Sequence, residues 1–222
     1  RTDHEETGNI HEDKLGEIGI ILARMIREGK VHAISCTGAN LEEDVFNLIS
    51  NQNYEIIPSW RDLSPDDELE LRNRGMNRVT DTCIPESAMR QIEERLLDCW
   101  QRAAAQGDRR MPVDFFFEVL GDPTLAEYYQ IDPAHSWLLA AKEAGIPVYV
   151  PGWEDSTIGN MFTASVMLGH LPNHLSVKTG TEQFQALMEW YESGHDSGSN
   201  PSIGFFQIGG GIAGDFAICT VP

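Results

Sequence analysis

Lysine is scarce in this sequence. Only Lys14, Lys30, Lys142 and Lys178 are present among 222 residues, and Lys and Arg together number 16 against 35 Asp and Glu, a formal net charge of −19. So acidic a chain repels nucleic-acid phosphates, which argues against nucleic acid as a partner. The same excess favours solubility, and it concentrates small cations at any cleft. No apolar run reaches the ~18–20 residues that a membrane span needs. The opening residues, RTDHEETGNIHEDKLGE, are polar and acidic, unlike a signal or transit peptide. Neither membrane nor secretion is therefore expected, and Cys36, Cys83, Cys99 and Cys219 are expected to be reduced thiols of a cytoplasmic protein. None of them forms a C-x-x-C pair, so no metal site is expected. Two motifs are also missing: there is no G-x-x-x-x-G-K-[ST] phosphate loop and no G-x-S-x-G nucleophile elbow.

What is present is enough for a core: 41% of the residues are hydrophobic and five are Trp. Leu15, Ile18, Leu22, Met25 and Ile26 recur at helical spacing over 13–29. Helices are also predicted over NLEEDVFNLIS from Asn40 with Glu43 as a capping-box partner, from Ser64-Pro65, over 84–107, and over 181–194. Another is predicted from Asp132-Pro133 to a stop at Gly145. Short apolar strands are predicted at VHAISC (31–36), IPVYVPG (146–152) and IGFFQIGGG (203–211), with a polar loop over 193–202. Strands that alternate with helices and are nearly all apolar predict an α/β fold, a mostly parallel sheet with helices on both faces.

Each predicted strand ends alike. VHAISC runs into Thr37-Gly38-Ala39, IPVYVPG into Trp153-Glu154-Asp155-Ser156-Thr157, and IGFFQI into Gly209-Gly210-Gly211. In an open parallel sheet a ligand binds outside the carboxyl ends of the strands. Small residues there admit a ligand to the backbone, and acids accept hydrogen bonds from ribose hydroxyls, so the pattern points to a nucleotide cleft. Plainer readings stand beside it. Glu43 and Asp155 could simply cap the helices that follow, with Ser156 and Thr157 competing for the second cap, and the glycines could form only a tight turn. His135 and His174 read as structural or solvent-facing. Trp137, Leu138 and Leu139 read as core, and Phe115 to Phe117 as packing.

Four segments in order carry a family resemblance. GKVHAISCTGANLEEDVFNLI, LRNRGMNRVTDTCIPES, AGIPVYVPGWEDSTIGNM and GFFQIGGGIAGDFAI are similar to the strand and Glu-Glu-Asp helix start, the Gly-Ile-Asn-Arg segment, the Asp-Gly-Ser-Leu-Gly-Asp strand end and the triple-glycine strand end of the deoxyhypusine synthase family. The likeness spans about residues 15 to 222 and is nearest in phrasing to the bacterial deoxyhypusine synthase-like branch, in a family that includes homospermidine synthase-like members.

The resemblance implies a Rossmann-like fold over 1–222 as a single NAD-binding domain, and a homotetramer with sites shared between paired subunits. It also implies an NAD-dependent aminobutyl transfer from spermidine or a related polyamine through a lysine imine. Thr37, Gly38, Ala39, Glu43, Asp155, Gly209, Gly210 and Gly211 match cofactor-binding positions. On the substrate side, Glu86, Asn160 and Asp215 stand where eukaryotic-type members carry Asn, Asp and His. That rearrangement fits a different polyamine or a free-amine acceptor. The family's Trp-Gly-Lys segment, which holds the covalent lysine, is not matched by any of the four lysines, so no catalytic residue is assigned and parts of the N-terminus and the lysine segment are expected to be missing. Two other readings remain: a non-catalytic nucleotide- or polyamine-binding homologue, and an NAD-dependent polyamine dehydrogenase without transfer.

Overall fold

A computed structural model describes residues 17–196 and 202–220. The polypeptide is a mixed α/β protein in which helices enclose a short parallel strand pair. Strand β1 (Ile34–Ser35) pairs in parallel with β5 (Val148–Tyr149), Ile34 opposite Val148 and Ser35 opposite Tyr149. The ladder is lengthened at both ends, by Ile34 N donating to Pro147 O at 3.0 Å and Cys36 N to Tyr149 O at 3.0 Å. The outer side of β5 is closed by a side chain. Gln183, fully buried, accepts from Val150 N at 2.8 Å and donates to Val150 O at 3.2 Å, mimicking one residue of a neighbouring strand.

Helices pack around this pair because their apolar residues recur at the helical period. In α2 (Gly38–Ser50), Leu41, Val45 and Leu48 are buried. In α4 (Glu86–Gln106) it is Ile92, Leu96, Trp100 and Ala103, and Gly107 ends the helix in the left-handed conformation (φ 68°). Trp100 meets Phe115 of α5 (Pro112–Val119) and Phe162 of α8 (Thr157–Met167) edge-on, with centroids 6.5 and 5.0 Å apart. Helix α1 (Glu17–Arg27) lies on α7 (Trp137–Ala144), where Arg27 bonds Glu143 at 2.9 Å and Ala134 O at 2.6 Å. Trp137, Leu138 and Leu139 are core, as expected, and Phe115 to Phe117 pack inward. No described helix is long and apolar enough to cross a membrane.

The structure corrects several expectations. Among the described residues, parallel pairing is confined to β1 with β5 and an isolated bridge between Arg110 and Val177. A separate sheet, ordered β2-β4-β3 from Glu55–Ile56, Thr82–Pro85 and Met76–Val79, is antiparallel. The segment 203–208 is not a strand. Phe205, Phe206 and Ile208 are exposed, so it has no buried face to hold a register, and beside β1 Ser35 Oγ donates instead to Ala213 O, in α10 (Ile212–Ile218), at 2.8 Å. The helix expected from Asp132 divides: Asp132 caps a 3₁₀ turn (Pro133–His135), and Ser136 starts α7 anew. Helix α9 (Gly180–Asp196) runs into the expected loop, whose 197–201 lie outside the described residues, as do 13–16 of the first predicted helix.

Candidate functional site

The parallel pairing sets the Thr37–Ala39 turn beside the loop 151–156. The approach is close: a Cβ on Gly38 would meet both Ser156 Cβ and the Trp153 carbonyl oxygen at 2.8 Å. Gly38 is therefore small because another loop fills its space, not because a ligand does. The third predicted end also comes here. Gly152 lies against Ile212, the first residue of α10, whose N-cap is Gly211 at φ 80°. Among the described residues nothing lies within 4 Å of where side chains would stand on Gly209 and Gly211, so that turn is open.

The successive acids Glu42, Glu43 and Asp44 separate by helical rotation. Glu42, buried, accepts from Thr157 N at 3.1 Å and Ile158 N at 2.8 Å, tying α2 to the start of α8. Asp44, also buried, accepts from Ser136 Oγ at 2.5 Å, Trp137 N at 3.3 Å and Leu138 N at 3.2 Å, tying α2 to the start of α7. Each carboxylate meets the positive end of a helix. Burial still outweighs these donors, raising Glu42 above the usual carboxylate range and Asp44 to about 6. Glu43 has no such duty. It is exposed, although surrounding protein crowds its carboxyl enough to raise its pKa.

Glu43 and Asp155 are not the caps that spacing allowed. The cap of α2 is Thr37, whose Oγ1 accepts from Asn40 N at 3.2 Å while its hydroxyl donates to Asn40 Oδ1 at 2.9 Å. The cap of α8 is Ser156, whose Oγ accepts from Gly159 N at 3.0 Å. Asp155 is exposed at the same end as Glu43, because Glu42 joins the starts of α2 and α8 there.

The substrate-side residues are less gathered. Asp215 is exposed in the first turn of α10. Asn160 turns its amide back, donating to Ser156 O at 2.7 Å. Glu86 opens α4 after β4 and accepts from Arg90 at 2.8 and 3.0 Å. His174 meets Phe162 edge-on and His135 sits in the 3₁₀ turn. Sequence reasoning missed Glu42, Asp44 and Tyr54. The Tyr54 hydroxyl is buried without a partner among the described residues, and burial, then the charges of Glu43 and Asp44, raise its pKa. Among the described residues no cluster of His, Cys, Asp and Glu could hold a metal ion.

An α/β protein whose parallel strands end at an open, acid-bearing edge of small residues is the class this geometry defines. The family model for deoxyhypusine synthase matches residues 7–221, and the chain belongs to that family. A probable deoxyhypusine synthase 1 of Methanosarcina acetivorans is 24% identical over 198 residues, 89% of this chain and 54% of its own length. A deoxyhypusine synthase-like protein of Caulobacter vibrioides is 24% identical over 198 residues, 89% of this chain and 50% of its own. A probable deoxyhypusine synthase of Halobacterium salinarum is 31% identical over 154 residues, 69% of this chain and 41% of its own. The chain spans about half the length of the curated relatives it matches.

Proposed function

We propose that this chain supplies the NAD- and polyamine-binding part of an NAD-dependent aminobutyl transferase whose donor is spermidine or a related polyamine. The observation that carries the reading is the division of labour among Glu42, Glu43 and Asp44. Two are consumed by helix ends and only Glu43 is left facing out, beside the loop that bears Asp155. What fits the cofactor is the pair of uncommitted acids, for ribose hydroxyls, and the open turn 209–211, both beside the Thr37–Ala39 strand end. NAD, when bound, accepts hydride from the carbon beside the reacting nitrogen.

The chain's own residues do the rest. Glu43 and Asp155 accept hydrogen bonds from the ribose. Asp215 holds the distant ammonium of the polyamine, so that the reacting amine can stay neutral with its lone pair available. Glu86 joins it by exchanging Arg90, an exposed partner held by little energy. Asn160, with its amide nitrogen engaged, offers its carbonyl oxygen to an ammonium. None of the four lysines stands in a Trp-Gly-Lys segment, so the covalent step is not assigned to a residue here. The reading includes a cytoplasmic homotetramer, for which exposed Ile18, Ile21, Met167 and Leu168 offer apolar surface.

Titration of NAD by calorimetry tests it. Glu43→Ala and Asp155→Ala should each weaken NAD about tenfold, the loss of one charge-assisted hydrogen bond. Unchanged affinity in both would remove the cofactor assignment. Asp215→Asn should raise the KM for spermidine, and an unchanged KM would remove its ammonium role.

A further inference from the structure

Buried polar atoms without partners are the exception in folded proteins. Among the described residues there are three in side chains: the Tyr54 hydroxyl, Arg95 Nε and Ser176 Oγ. Arg95 is held in other ways, since Nη2 donates to Thr124 Oγ1 at 3.2 Å and Nε lies 3.9 Å from Asp122. The Tyr54 hydroxyl has no such tie. Tyr54 follows the 3₁₀ turn (Asn51–Asn53) after α2, its N–H donating to Asn51 O at 3.3 Å, and its side chain packs against the core. A phenylalanine would pack the same ring without desolvating a hydroxyl. The charges that act on this hydroxyl are those of two α2 acids, Glu43 first and Asp44 after it. The two acids differ in what they can still accept. Asp44 is already met by Ser136, Trp137 and Leu138. Glu43 accepts no hydrogen bond among the described residues, and only burial acts on its carboxyl. A donor without an acceptor therefore stands in the field of an acid without a donor.

We propose that Tyr54 is a positioning residue for Glu43: its hydroxyl donates to one carboxylate oxygen of Glu43 when NAD is bound and leaves the other oxygen to the ribose. The inference rests on the reading of Glu43 as a ribose acceptor. Glu43 breaks no existing bond in turning to the hydroxyl. A ligand that covers Glu43 also removes the water that solvates its charge. Desolvation disfavours the carboxylate, and a hydrogen bond to the charged form restores it. A tyrosine suits this duty better than an arginine. An arginine fork would occupy both carboxylate oxygens and compete with the ribose, whereas one O–H takes a single lone pair and leaves the others free.

The test is calorimetric titration of NAD into the wild-type chain, Tyr54→Phe, Glu43→Ala and the double variant, with thermal unfolding of each. Tyr54→Phe should weaken NAD about tenfold, the loss of one hydrogen bond to a charged group. Its Tm should equal or exceed that of the wild type, because the hydroxyl removed is one that the free protein leaves unsatisfied. In the Glu43→Ala background the same substitution should change NAD affinity by less than about twofold, since the group it acts through is gone. Unchanged affinity in Tyr54→Phe overturns the proposal. So does a lowered Tm or a failure to fold, which would show that the hydroxyl already has its partner in the free protein. A further tenfold loss in the double variant overturns the action through Glu43. A wild-type chain that takes up no NAD removes the cofactor reading and this inference with it, whereas wild-type binding with an indifferent Tyr54→Phe removes this inference alone.

Discussion

The acids around the parallel pair and those around the antiparallel sheet live differently. At the end of β1 and β5, Glu42 and Asp44 are buried, have no arginine partner among the described residues and accept backbone N–H groups at helix starts. Around β2, β3 and β4, the acids sit at the surface against arginines: Glu55 with Arg74, Glu68 with Arg78 at 2.5 Å, and Glu86 with Arg90 at 2.8 Å. The first arrangement fixes helices and leaves its third acid, Glu43, unneutralised. The second fixes little, since exposed pairs contribute about 0–1 kcal/mol. An acid that is neither capping nor paired is the kind that a ribose hydroxyl or an ammonium can use.

The comparison is broken most easily at Asp44. Asp44→Ala leaves the Ser136 hydroxyl and two N–H groups of α7 unmet in the core, and should cost about 3 kcal/mol by urea unfolding. Glu43→Ala should change stability by less than about 0.5 kcal/mol, as for an exposed side chain. Equal losses would mean that the acids do not divide as described.

The next largest effect is in pH. Asp44 has a folded pKa raised to about 6 from 3.8, so the fold favours its protonated form. Its contribution is full below about 3.8 and falls as pH rises through about 6. Asp44→Ala should therefore cost about 1 kcal/mol more at pH 5 than at pH 7. A cost that instead grew towards pH 7 would show that the three donors outweigh burial.

Much of this was legible beforehand. The helix frame came from periodicity and capping signals, and Ser64-Pro65 does start α3 (Pro65–Asn73), with a Ser64–Asp67 capping box that was not foreseen. The adjacency of Thr37–Ala39 and Asp155 followed from reading both as strand ends. What spacing could not decide was which polar residue caps. Thr37 displaced Asn40 and Ser156 outcompeted Asp155, because that choice depends on the dihedral angles of the turn. Glu42 and Asp44 were invisible because their partners lie more than 90 residues away. The segment 203–208 misled because β-branched and aromatic composition marks a strand only where a neighbour and a buried face exist. The hairpin of β3 and β4 was missed because its two-residue turn is Thr80-Asp81, without the usual glycine.

That turn gives a smaller effect. Thr80 holds φ 55°, a conformation unfavourable for a β-branched residue. Thr80→Gly should stabilise the protein by about 0.5–1 kcal/mol, the relief of strain exceeding the added entropy of the unfolded chain. Destabilisation would mean that the Thr80 hydroxyl, which donates to Asp81 at 3.2 Å, matters more than its backbone.

The smallest effect on stability should be at Glu86, the acid of the antiparallel region that the proposed function assigns to the amine. Its pair with Arg90 spans one helical turn with both side chains exposed, so Glu86→Gln should change unfolding by no more than about 0.5 kcal/mol. Should Glu86 serve the polyamine, the same substitution raises the KM for spermidine while leaving NAD affinity and stability alone. Arg90→Gln sharpens the point: freeing Glu86 from its arginine should lower that KM, because the ammonium no longer has to displace a competitor. An unchanged KM in both variants would return Glu86 to the surface pairs of the antiparallel sheet and leave the amine to Asp215.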